Sequence, residues 1–410
     1  MPINAKLVEE KVKKYGQEQL LTYVDELTES GKQELFAQIM DTDFDVLESL
    51  KTKGAGNKRG IIEPIASMEI DEIEEKKDIF RKSGEAAIKK GEVAAVLLAG
   101  GMGTRLGSDD PKGMYDIGIT GHVYIFQRLV ENLMEVVKQT DAYIPLYVMT
   151  SDKNHEKTVA FFKEHNYFGY NSDYVAFFKQ SMAPATDYEG HIYLEAKDRI
   201  STSPNGNAGW YVSMYRAGLV EDAIKRGVKW INIFAVDNVL QRIADPVFVG
   251  AVKEGGFVSG AKVVRKASRN EGVGVMCLED GKPSIVEYYE MTDELLDAKN
   301  AKGDPAYNFG VILNYLFAID ELERIREKSL PLHIVEKKIP YIDEKANLVK
   351  PSTPNGYKFE QLVLDMVHEM RDCLPFEVRR EYEFAPIKNK EGVDSVESAR
   401  ELCKLNGIVL

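Results

Sequence analysis

The stretch Val93-Ala-Ala-Val-Leu-Leu-Ala-Gly-Gly-Met-Gly-Thr-Arg-Leu-Gly107, followed by Pro111-Lys112-Gly113-Met114, decides how the rest of the chain is read. Its first six residues are apolar and rich in β-formers, which predicts a buried strand. The glycines after it predict a tight exit at the carboxyl edge of a sheet, where α/β proteins bind their ligands. Gly100, Gly101 and Gly103 carry no Cβ, so an anion can approach the main chain closely. Arg105 and Lys112 bring full positive charge to the same exit. Together these features predict a polyphosphate site with Leu98 at the strand end.

Two common phosphate loops do not fit. A Walker A loop requires Gly, four residues and then Gly-Lys-Ser/Thr, a spacing absent around residue 100. The dinucleotide pattern G-x-G-x-x-G would start at Gly101, but Leu106 stands where the third glycine belongs. Dinucleotide loops also rely on backbone amides and the helix dipole rather than on Arg and Lys. The bland alternative is a glycine-rich turn with solvated charges.

The same residues resemble the nucleotide loop of the UDP-sugar pyrophosphorylase family, in particular its UDP-N-acetylglucosamine branch. Further blocks follow in the family's order. They are Phe177-Phe-Lys-Gln-Ser-Met-Ala-Pro-Ala185, Ser203-Pro-Asn-Gly-Asn-Ala-Gly209, Val236-Asp-Asn238, Gly260-Ala-Lys-Val-Val264, Val286-Glu-Tyr288, Tyr307-Asn-Phe-Gly310 and Glu383-Phe-Ala-Pro-Ile-Lys388. The resemblance implies a uridylyltransferase that joins UTP to a sugar 1-phosphate and releases pyrophosphate, with Mg2+. It implies Arg105, Lys112 and Lys388 as catalytic cations and Asp237 as the metal ligand. Gln180 would read the base, since its amide can pair with the imide face of uracil. Gly206 and Asn207 would join it in holding the nucleotide, and Gly274, Glu287 and Asn308 would hold the sugar. Without the resemblance, Asp237 would read as a turn or cap residue and Glu287 as an outward strand residue.

Two departures from the family's pattern fall on the sugar side. Val311 follows Gly310 where the family usually has Asn, and Leu362 and Leu364 match positions that are typically aromatic in the N-acetylglucosamine enzymes. A glucose 1-phosphate enzyme, or one of broad sugar range, therefore stays open. So do a GT-A glycosyltransferase and a non-catalytic nucleotide-sugar sensor. Against the glycosyltransferase, Val236-Asp-Asn238 leads into Val239 rather than forming Asp-x-Asp.

Bulk properties agree with a small anionic ligand. The 410 residues, 44% hydrophobic and 29% charged, are ordinary for a globular chain. A net charge of −13 argues against a nucleic-acid surface. Cys277, Cys373 and Cys403 have no metal-type spacing, and their small odd number fits a reducing compartment. No apolar run approaches membrane-spanning length and no apolar leader opens the chain, so the expected location is the cytoplasm. The six histidines show no ligand spacing, and His122 reads as solvent-facing.

Helical spacing in the first fifty residues (Val8, Val12, Tyr15; Leu20, Val24, Leu27) and alternation of strands and helices from Val93 predict an α/β chain. The expected architecture is a mixed, mostly parallel, Rossmann-like nucleotidyltransferase sheet of GT-A type, flanked by helices. Its parts are a helical amino-terminal region over 1–90, a catalytic domain over 91–330 and a small α+β region over 331–410 that completes the site. Strands are expected at Ile144–Met149, Tyr174–Phe178 and Trp230–Val236, with helices over Lys153–His165, Gly209–Arg226 and Asp245–Glu254. A hairpin should turn at Glu279-Asp-Gly-Lys-Pro283. Toward the end, Glu360–Met370 and Ser395–Lys404 read as helices and Glu377–Phe384 as a strand. The glycine- and lysine-rich stretch Lys51–Gly60 reads as a loop.

Overall fold

A computed structural model describes residues 2–51 and 59–410. Most of the Lys51–Gly60 stretch thus lies outside the described residues. The chain forms two compact units that are interleaved in sequence: 1–58, 181–209 and 330–363 in the smaller, and 59–180, 210–329 and 364–410 in the larger.

The larger unit is built on a ten-stranded sheet. Its strands are β1 (Ile62–Glu63), β2 (Val93–Leu98), β3 (Leu146–Thr150), β4 (Val175–Lys179), β5 (Trp230–Ala235), β6 (Ser259–Arg265), β7 (Val275–Glu279), β8 (Lys282–Val286), β9 (Phe309–Ala318) and β10 (Leu374–Glu377). The main path runs β1-β7-β9-β5-β2-β3-β4, with β8 on β7, β6 on β9 and β10 on β6. Seven strands run one way, and β1, β8 and β9 oppose them. The four neighbours β5-β2-β3-β4 are parallel throughout, and β2 is buried along its whole length as a two-sided strand must be. Register places Leu98 beside both Met149 and Ala235, so these strands end at one edge.

Helices cover the sheet. Ile70–Lys89 packs on Pro246–Glu254 so tightly that a Cβ on Gly84 would lie 1.9 Å from the Pro246 carbonyl oxygen, and one on Gly250 1.8 Å from that of Phe80. Only glycine permits that backbone approach. The predicted helix over Gly209–Arg226 is split into Trp210–Arg216 and Leu219–Lys225 by Gly218, whose φ of +74° breaks the first and starts the second. Asp245 caps Pro246–Glu254, and Ser395 opens Val396–Leu405 with a capping box. The β7–β8 turn is Asp280-Gly281, both at positive φ, a pairing that suits the twist of a hairpin.

One predicted strand is misplaced. The strand is β10, on the apolar Leu374–Phe376, whereas Arg380–Glu383 is a helical turn that brings Glu383 inward to the buried Lys262. Among the described residues no helix is long and apolar enough to cross a membrane.

The smaller unit packs Val8, Val12, Leu35, Phe36 and Ile39, from the helices Ala5–Lys14 and Glu29–Asp41, around Phe44, Ile192 and Phe359. Leu20, Val24 and Leu27 do not form the helix their spacing predicts. They lie in two short 3-10 turns, Glu18–Leu21 and Val24–Glu26, and at the residue that ends the second. The buried Gln17 ties this stretch to the Gly190 carbonyl and the Ile192 amide, and those long-range bonds override the local period.

Candidate active site

The glycine loop leaves β2 and is held from beneath by a residue that sequence reading did not single out. Asn154, fully buried, donates its Nδ2 to the carbonyls of Ala99 (2.9 Å) and Gly101 (3.3 Å) and accepts the Ser151 amide at 2.8 Å. A second carbonyl tether is the Lys112 amide on Gly101, at 3.2 Å, and the Gly103 amide closes on Asp110 at 2.8 Å. The loop is thus fastened through its carbonyls, while the amides of Gly100 and Gly101 donate to no group among the described residues. Two successive amides left this way are available to an anion.

The glycines serve different ends. A Cβ on Gly113 would meet the Phe126 ring at 2.2 Å, so Gly113 is a packing residue. A Cβ on Gly100 would meet the Gln180 Nε2 at 2.2 Å, so Gln180 lies against the loop's main chain, nine-tenths buried. A Cβ on Gly101 would meet nothing within 4 Å, and its φ is not in the left-handed region. Neither packing nor backbone conformation requires glycine there, which leaves access by a ligand as the physical reason.

Cations gather around this loop. Lys112 Nζ lies 3.8 Å from Asp237 Oδ2, with the two side chains 16% and 24% exposed. Burial pushes the Lys112 ammonium below the ordinary lysine value; Asp237 opposes the shift, while Lys388 and Arg105 add to it. Arg105 and Lys388, from opposite ends of the larger unit's sequence, are thus both within electrostatic reach of Lys112. Arg105 is exposed and Lys388 half-buried.

The segment that carries Lys388 is fastened to the end of β5. Asn238, buried, donates to the Glu383 carbonyl at 2.7 Å and accepts the Ala385 amide at 2.9 Å. The Ile387 amide then donates to the Asp237 carbonyl at 2.8 Å. Below it, Lys262, with no exposed surface, bonds to Glu383 Oε2 at 2.5 Å, Asp245 Oδ2 at 3.1 Å and the Arg242 carbonyl at 3.2 Å. Burial drives both carboxyls up; Lys262, with Arg242, overcomes it at Asp245, which lies low, but not at Glu383, which lies high. A buried charge cluster of this kind is a poor source of net stability and a good way to fix one geometry. Asn238 and Lys262, which lie in the Val236–Asn238 and Gly260–Val264 blocks but have no role assigned there, thus join Asn154 as supports of the site.

The sugar candidates sit on the antiparallel part of the sheet. Because β9 opposes β5, with Asn314 beside Phe234, its first residues and Asn308 before them lie beyond the edge where β5 ends. Gly274 precedes β7 and Glu287 follows β8, whose ends pair as Val275 with Val286. A Cβ on Gly274 would sit 3.5 Å from Glu287 Oε2, and the Val311 amide donates to the Gly274 carbonyl at 2.9 Å. Gly274, Glu287 and the Asn308–Val311 stretch are thereby neighbours.

Gly206 and Asn207 belong to the smaller unit. Gly206 has φ +89°, and a Cβ on it would lie 2.1 Å from the Gln361 carbonyl oxygen, so it is glycine for two local reasons. Asn207 Oδ1 accepts the Val363 amide at 2.8 Å, which leaves its Nδ2 for any ligand.

As for a metal, Asp237 presents one partly exposed carboxylate at a strand end, and no group of three or more His, Cys, Asp or Glu side chains could hold an ion among the described residues. That donor set suits Mg2+, which is commonly held by one or two carboxylates with phosphate oxygens and waters completing its octahedron. His122, 81% exposed with Nδ1 2.6 Å from Asp116, faces solvent as its sequence context suggests.

A family model described as UTP–glucose-1-phosphate uridylyltransferase matches residues 44–407. The chain is 36% identical over 410 residues to UDP-N-acetylhexosamine pyrophosphorylase-like protein 1 of Mus musculus, covering 94% of this chain and 81% of that protein. It is 40% identical over 339 residues to the UDP-N-acetylglucosamine pyrophosphorylase of Saccharomyces cerevisiae, covering 79% and 71%. Among solved structures, the uridine diphosphate N-acetylglucosamine pyrophosphorylase of Trypanosoma brucei, in complex with an inhibitor, superposes with a TM-score of 0.83. Its identity is 27%, over 97% of this chain and 84% of that one.

Proposed function

The chain belongs to the UTP–glucose-1-phosphate uridylyltransferase family, and on that premise we propose that it makes UDP-N-acetylglucosamine and pyrophosphate from UTP and N-acetylglucosamine 1-phosphate. The observation that carries the reading is the convergence of Arg105, Lys112 and Lys388 on a glycine loop whose amides are left unbonded.

The chemistry is an in-line attack by the sugar-phosphate oxygen on the α-phosphorus of UTP. The nucleophile is already an anion, so no general base is needed. The barrier is repulsion between two polyanions, and fixed cations and amides lower it without reorganising. Gly100 and Gly101 cradle the triphosphate and Gln180 reads uracil from beside them. Arg105 and Lys112 hold the phosphates that leave as pyrophosphate, and Lys388 takes the charge at the α-phosphate or the incoming sugar phosphate. Glu287 and Asn308 orient the sugar hydroxyls against the Gly274 main chain. Asp237 would hold Mg2+, which supplies neutralisation of phosphate charge. Gly206 and Asn207 stand as nucleotide contacts on the resemblance of their loop, and the carboxyl-terminal segment completes the site through Lys388.

A second reading, UDP-glucose as product, is favoured by Val311, whose side chain gives the sugar no hydrogen bond where the family's Asn would. A cytoplasmic location suits the three cysteines, which are unpaired and buried, with burial pushing the Cys277 and Cys373 thiols up to about 12.

The test is release of pyrophosphate from UTP, Mg2+ and a panel of hexose 1-phosphates. N-acetylglucosamine 1-phosphate should be the preferred partner. A chain that releases none with any of them is not this enzyme.

A further inference from the structure

One carboxylate outside the assigned groups touches the cationic cluster. Asp394 Oδ2 accepts from Lys388 Nζ at 3.0 Å, with the side chains 30% and 38% exposed. The pair is enclosed by a built loop rather than by chance proximity. The amides of Lys388 and Asn389 both donate to the Asp394 carbonyl, at 2.7 and 3.0 Å. Asn389 Nδ2 donates to the Val393 carbonyl at 2.9 Å, and Asn389 bridges Ser395, the cap of the last helix. Asp394 itself has φ +54°, a left-handed conformation that glycine or asparagine adopts as readily. The turn accounts for the backbone but does not require a carboxylate. What the carboxylate adds is a negative charge on Lys388.

The electrostatics give that charge a task. Arg105 and Lys388 each repel Lys112, and Lys112 already faces Asp237 at 3.8 Å. A bound polyphosphate carries several charges against the single charge of Asp394. It can therefore take the ammonium away, but against a standing competitor.

Resting on the uridylyltransferase reading, we propose that Asp394 is the positioning counter-ion of Lys388. It holds the ammonium in the ligand-free chain and yields it to phosphate when the polyanion enters. It thereby weakens the grip on the two phosphates that remain at Lys388, those of the UDP-sugar, and speeds release of that product.

The sign of the effect separates this role from a structural one. A merely structural Asp394 would weaken anion binding when altered, whereas a competitor strengthens it. The experiment is calorimetric binding of UDP-N-acetylglucosamine to the full chain at roughly 0.05 and 0.5 M salt, beside steady-state kinetics. Asp394→Asn, which the left-handed backbone accepts, should bind roughly three- to tenfold more tightly at low salt, with the gain shrinking at high salt. Its kcat should fall severalfold while KM for the sugar phosphate also falls, the pattern of slowed release. Asp394→Gly should reproduce both changes, and neither substitution should add affinity in a Lys388→Met background. Unchanged or weaker binding of UDP-N-acetylglucosamine in both variants, with melting temperatures intact, overturns the inference and leaves the functional reading standing. A wild-type chain that binds no UDP-N-acetylglucosamine overturns both.

Discussion

At the carboxyl ends of β2, β3, β4 and β5 the candidate site is fastened by main chain and buried amides, whereas beside the β7–β8 hairpin it rests on half-exposed side chains. Asn154 and Asn238 illustrate the first case: each is buried, and among the described residues its side-chain amide bonds only to backbone. Glu287, partly exposed beside the solvent-facing Tyr288 and Tyr289, illustrates the second. A rigid half suits the step common to every sugar substrate, the transfer at phosphorus. An adaptable half suits the part of the substrate that differs between sugars. The lesson is that the reaction and the sugar preference are held by different kinds of interaction, so substitutions should separate them.

The sharpest break comes from removing charge in the rigid half. Lys388→Ala or Arg105→Ala should lower kcat/KM by roughly 10²–10³ with folding intact, because each removes charge stabilisation made in the transition state. Steady-state kinetics beside thermal melting check this, and an equal loss in melting temperature would move these residues out of the chemistry.

Next in size is the support beneath the loop. Asn154→Ala strands the buried carbonyl of Ala99 and leaves that of Gly101 to the Lys112 amide alone, so stability should fall by about 1–3 kcal/mol and KM for UTP should rise roughly tenfold. The KM for the sugar phosphate should change far less. Denaturant melts and the two KM values measure both effects, and equal shifts in the two KM values would erase the distinction between the halves.

Gly100→Ala should act more narrowly. Its Cβ displaces the flexible end of Gln180 rather than the backbone, so the fold survives while preference for UTP over other pyrimidine triphosphates drops by a few-fold. The smallest effect belongs to the adaptable half. Val311→Asn restores a hydrogen-bonding group beside the Gly274 carbonyl and should shift the ratio of N-acetylglucosamine to glucose 1-phosphate turnover by roughly two- to tenfold. The UTP parameters should stay unchanged.

What the sequence made legible follows the same division. The strand Val93–Leu98, the glycine exit and the cations beyond it could be read because an apolar run ending in glycines and basic residues has few other uses. The role of Asn154 was invisible because the two carbonyls it holds lie more than fifty residues back in the chain. The same holds for Lys262, an isolated lysine in an apolar strand whose partners come from two distant turns. The smaller unit, drawn from three separated segments, cannot be found by dividing the chain into consecutive blocks. Local periodicity failed where buried long-range bonds took control, as with Gln17 over Glu18–Glu26 and Glu383 after β10.

The central claim is that an open main-chain cradle ringed by Arg105, Lys112 and Lys388 receives the phosphates of the nucleotide. The most direct test is a crystal structure of the chain with UDP-N-acetylglucosamine. The account predicts the diphosphate against Gly100 and Gly101 with Lys388 withdrawn toward it and uracil at Gln180. A nucleotide bound elsewhere, with the glycine loop untouched, would contradict it.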